Sequence, residues 1–167
     1  NIMIDKESGK GICIVDLDTV MPGLVACDFG DAIRFGANNT IEDDPDLSNV
    51  YLDFDNFAAF TEGYLSEVKS VLTEREIELL PFSILLMAYE CGIRFLTDYL
   101  NGDTYFKTLR ENHNLDRARN QFKLVAEILQ MQNDLNAIIA DLLTMVKLDK
   151  TQAEMNIQAH NINEILE

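Results

Sequence analysis

The chain has 167 residues, 47% of them apolar, and its 29 acidic and 13 basic residues give a formal net charge of −16. This length and apolar content predict one domain with a packed core rather than a disordered chain. The strong negative charge argues against nucleic acid and against an anionic membrane surface as the main partner. Three cysteines without paired spacing favour a reducing cytoplasm over a disulfide scaffold or a zinc site.

The first part of the chain predicts a small β-structure. Apolar, mostly β-branched runs at 2–4 and 11–17 flank a polar segment that contains Gly9, which is typical of a hairpin. Met21-Pro22-Gly23 then breaks the chain, and a short helix with Asp28 as its cap is predicted over 28–35. Residues 38–48 carry four acidic side chains, and we expect them to form a solvated surface loop.

The remainder of the chain predicts helices. Apolar spacing indicates a helix over 54–71, and Thr73 with Glu76 forms a capping box before the next helix. Pro81 is expected to divide that region into a short helix and a longer one over 82–100, which Asn101-Gly102 ends. Residues 115–147 predict one long amphipathic helix or two in series, with an apolar core stripe over 122–142. A last short helix is expected over 149–166.

The most apolar window lies inside this helical region, at residues 79–89. It is about half the ~20 residues that a membrane span needs, so we expect a buried helix and no membrane. The predicted fold is therefore mainly α with a short N-terminal β-hairpin. It divides into a hairpin-and-loop unit at 1–36, a helical body at 46–143 and a C-terminal helical tail at 144–167.

A group of carboxylates at the end of the second strand predicts metal chemistry. Asp16 and Asp18 follow an apolar run, and the hairpin would bring the Asn1 amide to the same end. Oxygen ligands without a nearby His or Cys favour Mg²⁺ over zinc, and Mg²⁺ serves phosphoryl transfer. An acidic surface loop that holds no metal accounts for the same residues equally well.

Three stretches of the sequence carry a family resemblance: NIMID at 1–5, IVDLD at 14–18 and DFGDAIR at 28–34. Together they resemble the aminoglycoside phosphotransferase superfamily, which implies the C-terminal lobe of a protein-kinase-like α+β fold. By this resemblance Asn1 and Asp16 hold the metal, and Asp28 supports the catalytic loop through hydrogen bonds. Asp28-Phe29-Gly30 spells the protein-kinase metal motif, but its position after the strand assigns the metal to Asp16. Asp18 would assist the metal site.

A narrower resemblance points to the N-acetylhexosamine 1-kinase group. It rests on DLDTVMPG at 16–23 and ECGIRFLTDYLNGDTYF at 90–106. The second stretch implies that Arg94 and Tyr105 bind the sugar. Asp98, one helical turn beyond Arg94, is expected to orient it. An internal Arg94–Asp98 pair with Tyr105 in the core is the alternative.

These resemblances imply an ATP- and Mg²⁺-dependent kinase for a sugar hydroxyl, most specifically the anomeric hydroxyl of an N-acetylhexosamine. The catalytic Asp, expected about five residues before Asn1, and the N-terminal nucleotide-binding lobe have no counterpart in the sequence. We therefore expect this chain to be an incomplete, cytoplasmic part of such an enzyme and inactive alone. An aminoglycoside or choline phosphotransferase is one alternative. A non-catalytic helical interaction domain that uses the apolar stripe after Phe122 is another. His113 and His160 have no predicted role.

Overall fold

The computed structural model describes residues 2–165, with side chains described for 2–18 and 20–145. A two-stranded antiparallel hairpin is followed by a mainly helical body, which confirms the predicted α-rich fold with an N-terminal hairpin. The elements are β1 (Ile2–Ile4), β2 (Gly11–Ile14), a 3₁₀ turn (Leu17–Thr19), α1 (Val25–Gly36), a second 3₁₀ turn (Leu47–Asn49), α2 (Phe54–Val68), α3 (Glu74–Leu100) and α4 (His113–Ile165).

The hairpin is closed by a polar turn between its strands. Ile2 pairs with Ile14 and Met3 with Cys13, and a register irregularity follows at Ile4. The Asp5 carboxylate accepts the amide N–H of Ser8 at 2.8 Å, which also places the pKa of Asp5 below its usual value, and Gly9 adopts a positive φ of 67°. The second strand ends at Ile14 rather than at 17, because the chain turns at Asp16 into the first 3₁₀ turn. Every side chain of the two strands is exposed.

Helix α1 begins three residues earlier than predicted. Its N-cap is Leu24, so the predicted capping role of Asp28 is wrong. Asp28 instead lies in the first helical turn, where a negative charge interacts favourably with the positive end of the helix dipole. Phe29 is fully buried and Gly30 packs against α3. The Asp28-Phe29-Gly30 sequence is therefore part of a core helix.

Helix α3 runs unbroken through Pro81, which contradicts the predicted division at that residue. The capping box of Thr73 and Glu76 starts the helix as predicted, and the hydrogen bonds from Thr73 lower the pKa of Glu76. Pro81 removes one i to i−4 hydrogen bond, but Leu80 and Ile84 around it are fully buried against neighbouring elements. Packing therefore outweighs the local cost of proline. Asn101 and Gly102 end the helix as predicted.

Helix α4 is continuous from His113 to Ile165, so the single-helix alternative is confirmed and a separate last helix is wrong. The predicted stripe over 122–142 is confirmed in part, because Leu135 and Ile139 are buried but the predicted Leu129 is 59% exposed. Leu124 and Ile128 are buried in its place. They join α1, α2 and α3 in one hydrophobic core. Among the described residues, α3 is long and apolar enough to cross a membrane by length and composition alone. One face of α3 packs against α1 and α4, whereas four of its large apolar side chains (Phe82, Leu86, Tyr89 and Ile93) are 43–50% exposed. The expected buried helix is therefore buried on one face.

Candidate functional site

The proposed metal residues lie on the exposed N-terminal segment. Asp16 has φ 64° and ψ 53°, a left-handed conformation that Asp tolerates better than most residues and that recurs at functional sites. Asp16, Asp18 and Asp28 are all exposed. The described residues contain no group of three or more His, Cys, Asp or Glu side chains arranged to hold a metal. Asn1 lies outside the described residues.

The proposed sugar-binding residues come together between the end of α3 and the loop at 101–112. They line a cavity of about 370 Å³ that includes Arg94, Asp98, Tyr105 and Phe106. The Arg94 guanidinium carbon lies 6.0 Å from the centre of the Tyr105 ring and 5.4 Å from that of Phe106. These distances allow cation–π contact. Tyr105 is 75% exposed, so its predicted alternative position in the core is wrong.

Arg94 is oriented by Glu90 rather than by Asp98. Its Nη1 lies 3.6 Å from Glu90 Oε1, one turn earlier on the same helix, and the guanidinium remains half-exposed. The expected orientation of Arg94 by Asp98, and with it the internal pair, is therefore wrong. The physical reason is that both Asp98 oxygens already accept hydrogen bonds from the following loop and from α4.

Asp98 holds the loop that carries Tyr105. Its Oδ1 accepts the backbone N–H groups of Thr104 and Tyr105 at 3.0 and 2.8 Å, and Oδ2 accepts that of Phe106 at 2.9 Å. Asn114 Nδ2 donates to Oδ2 at 2.9 Å. Burial by itself would raise the pKa of Asp98, but the donors of Phe106, Tyr105 and Thr104 outweigh it and lower the pKa below its usual value.

A second cavity, of about 300 Å³, adjoins the first and shares Arg94 and Phe106 with it. Cys91 and Arg34 are among its other lining residues. Burial raises the pKa of the Cys91 thiol to about 11, so this cysteine is a neutral, weakly reactive side chain. The cavities are thus lined by cationic, anionic and uncharged side chains.

The acidic loop at 38–48 lies at the surface as predicted, but Glu42 and Asp43 are docked on the helical body. Glu42 accepts a hydrogen bond from the buried Arg34 at 2.7 Å, and Arg34 also pairs with Asp31. Asp44 accepts hydrogen bonds from Thr40 and Asn49, which lower its pKa. These partners balance the loop's charges locally.

Sequence reasoning missed His113, which is 1% exposed at the start of α4. Its Nδ1 accepts the Leu109 N–H at 3.0 Å, so Nε2 carries the proton and donates to Asp43 at 2.7 Å. Arg110 also donates to the Asp43 carbonyl at 2.6 Å and pairs with Asp116. The sequence feature that could have indicated a role for His113 is the acidic run at 42–46. Four clustered carboxylates need cationic or hydrogen-bonding partners when they pack against the helical body.

A larger cavity, of about 580 Å³, lies away from these residues, between the end of α2, the start of α3 and α4. Lys69 at its edge donates to the carbonyl of Leu143 at 3.3 Å. Lys69, Glu74 and Glu78 are among its lining residues, but no aromatic side chain is, and none of the residues selected by the resemblance lies there. We therefore place the candidate site at Arg94. No protein-family model matches the sequence.

Proposed function

We propose that this chain is the acceptor-binding part of an ATP-dependent phosphotransferase that acts on a sugar hydroxyl, most specifically the anomeric hydroxyl of an N-acetylhexosamine. One observation carries the proposal: Arg94, Tyr105 and Phe106 converge on one cavity, although Arg94 is separated from the aromatic pair by the helix end. A half-exposed guanidinium donates hydrogen bonds to sugar oxygens, and an exposed aromatic ring packs on the apolar face of a pyranose.

The charges around the cavities favour a neutral acceptor. The two adjoining cavities are lined by two cations, Arg34 and Arg94, and by four carboxylates: Asp31, Glu42, Glu90 and Asp98. A site for an aminoglycoside or choline would need carboxylates that remain available to the substrate's cation. Here the carboxylates outnumber the cations, but Asp31 and Glu42 pair with Arg34, and Glu90 pairs with Arg94. Asp98 accepts the loop amides. A neutral sugar, with hydroxyls that donate and accept, fits this mixed lining better than a cationic substrate does.

The residues at the strand end are compatible with a Mg²⁺ site of the kind used in phosphoryl transfer. Mg²⁺ is commonly held by only one or two carboxylates together with water and substrate phosphates, so a three-carboxylate cluster is not required. Asp16 would hold the ion, with Asn1 as the second ligand that the resemblance implies, and exposed Asp18 and Asp28 would add negative potential. When bound, Mg²⁺ with ATP would neutralise the phosphate charges.

Catalysis in this proposal requires further polypeptide. No residue of the sequence matches the general base of the resembled family, and we propose that the base and a nucleotide-binding lobe complete the site. The exposed apolar side chains of the hairpin support this, because two strands alone are marginal in water and gain stability when their apolar surface is covered. This chain would bind and orient the acceptor without transferring a phosphoryl group by itself.

A non-catalytic interaction domain is less well supported. That alternative relied on the apolar stripe after Phe122 as a partner surface. Over the described side chains, four central residues of the stripe (Leu124, Ile128, Leu135 and Ile139) are buried within the chain's own core. These four side chains are therefore not available to a partner, whereas Leu129 of the same stripe is 59% exposed.

The acceptor proposal is tested by titrating the chain with N-acetylglucosamine while amide resonances are followed by NMR. We expect shifts at 94–106, and Arg94→Ala should weaken binding about tenfold or more, since it removes the charged donor. Arg75→Ala is the matched control, because Arg75 makes a similar helical ion pair on an exposed surface. Absence of binding by neutral sugars to the folded wild-type chain would contradict the proposal.

The metal part of the proposal has a separate test. Mg²⁺ should shift the amide resonances of 16–18, and Asp16→Ala should abolish that response while Asp55→Ala, an exposed carboxylate on α2, preserves it. A coupled ATP-consumption assay on this chain should show no turnover with N-acetylhexosamines. Clear turnover would show that the proposed requirement for a further lobe is wrong.

A further inference from the structure

The loop that presents Tyr105 has little apolar contact of its own. Residues 101–112 connect α3 to α4, and most of their side chains are exposed, including Leu109 at 79%. Phe106 is the main exception, since its ring centre lies 4.7 Å from that of Phe95. A loop of this kind is ordered mainly by specific hydrogen bonds, because burial contributes little.

Two buried side chains from helices supply those hydrogen bonds at opposite ends of the loop. Asp98, 5% exposed, accepts three consecutive amides at 104–106, as described above. His113, 1% exposed, accepts the Leu109 amide and is itself held by Asp43. Asn114 links the two ends, because its amide donates to both Asp98 and Asp103 at 2.9 Å.

Arg94 does not require these anchors, because it lies on α3 and pairs with Glu90 on the same helix. The position of Tyr105 and Phe106 relative to Arg94 therefore depends on the loop. If the loop were released, the cavity would lose one wall while Arg94 stayed in place. Any ligand would then have to order the loop on binding, and the free energy of that ordering would weaken the affinity.

We propose that Asp98 and His113 are positioning residues of the acceptor site, which hold the 104–109 segment so that Tyr105 and Phe106 face Arg94 before the sugar binds. This inference rests on the proposed function for its ligand, but it assigns both residues a role without direct sugar contact. Asp43, in the acidic loop at 38–48, supports this positioning role because it accepts the hydrogen bond from Nε2 that holds the His113 ring.

The decisive variant is Asp98→Asn, which keeps the size of the side chain but replaces one accepting oxygen by a donor. The affinity for N-acetylglucosamine should fall about tenfold or more, since at least one buried charge-assisted hydrogen bond is lost. Hydrogen exchange at the 104–106 amides should become fast without sugar and slow again at saturating sugar. His113→Phe should expose the Leu109 amide and weaken binding by a smaller factor.

Asp103→Asn is the matched control. Asp103 lies in the same loop with a φ of 58°, which Asn also adopts readily, and it accepts only the Asn114 side chain among the hydrogen bonds given above. This variant should keep both the sugar affinity and the protection of 104–106. Circular dichroism and the methyl resonances of Ile84 and Leu124 should show that the helical body is unchanged in every variant.

The outcomes separate this inference from the proposed function. If the wild-type chain binds sugar and Asp98→Asn loses amide protection without losing affinity, the positioning role is wrong and the acceptor proposal stands. If Asp98→Asn binds sugar weakly while amide protection is intact, Asp98 contacts the sugar directly and the positioning role is again wrong. If the folded wild-type chain binds no sugar, both proposals fail.

Discussion

The N-terminal segment and the helical body use the same apolar residue types in opposite ways. Ile12 and Ile14 of β2 are 60% and 66% exposed, whereas Ile84 of α3 is fully buried. In the hairpin, β-branched side chains favour the extended backbone but find no cover in this chain. In the body they fill a core shared by four helices. The candidate metal residues Asp16 and Asp18 thus lie on the uncovered region, and the candidate acceptor residue Arg94 lies on a helix of the packed one.

The largest effect that this comparison predicts is on the free energy of unfolding. Ile84→Ala should lower it by about 2–5 kcal/mol, because the buried site cannot collapse fully around the smaller side chain. Ile12→Ala should change it by about 0.5 kcal/mol or less, since the side chain is already in water. Urea denaturation of both variants measures the difference. Equal losses would show that the hairpin is packed in solution and that the comparison is wrong.

A second prediction concerns the close approach of α1 and α3 at Gly30. A Cβ at this position would meet the Ser83 carbonyl and lie 2.9 Å from Met87 Cγ. Gly30→Ala should therefore destabilise the chain by about 1–3 kcal/mol through overpacking. Gly63→Ala is the control, because Gly63 lies in α2 with open space around it. The control should be neutral or stabilising by about 1 kcal/mol, as alanine is the better helix former.

A third prediction tests the docked acidic loop by a double-mutant cycle on Asp43 and His113. The coupling energy from Asp43→Ala, His113→Ala and the double variant should be about 1–3 kcal/mol, because the His113 ring is buried and its hydrogen bond to Asp43 is partly shielded from water. The exposed pair of Arg75 and Glu78 provides a control cycle, with an expected coupling of about 0.5 kcal/mol or less. A coupling as small as the control's would show that the loop is not held by this contact.

The features that sequence reasoning predicted well are those that local chemistry determines. The Thr73–Glu76 capping box and the stop at Asn101-Gly102 each depend on a few neighbouring residues, and the core stripe of α4 depends on helical periodicity. Pro81 was misjudged because tertiary packing on both sides of it outweighs one lost hydrogen bond. The contacts of Asp43 with His113 and of Arg34 with Gln121 span 70 and 87 residues, respectively, and no local pattern encodes them.

The candidate site shows the same difference between features that local sequence determines and contacts that depend on the tertiary structure. The resemblance selected Arg94 and Tyr105, and the structure places them on one cavity. The predicted pairing of Asp98 with Arg94 rests instead on their spacing of one helical turn, which makes such a pair possible without making it preferred. Three consecutive amide donors lie just beyond the helix end, and a buried carboxylate is better satisfied by several fixed donors than by one mobile guanidinium. Spacing alone cannot weigh these competitors.

The smallest predicted effect is local and depends on pH. The pKa of Asp98 is lower in the folded loop than in the unfolded chain, so its contribution to loop stability is fully present above the unfolded value of about 4. That contribution is lost as the pH falls through the folded pKa. Hydrogen exchange at the 104–106 amides, corrected for the pH dependence of the intrinsic exchange rate, should therefore report an opening that is constant between about pH 5 and 8. The opening should increase below about pH 4.

Asp98→Asn should abolish this acid dependence at 104–106 and leave the segment open at every pH, because the variant has no proton to gain. Acid dependence at the start of α3, where the lowered pKa of Glu76 contributes to the capping box, should remain in the variant and serves as an internal control. If the 104–106 amides of the variant still respond to acid as the wild type does, another group controls the loop. The Tyr105 wall of the cavity would then not depend on Asp98.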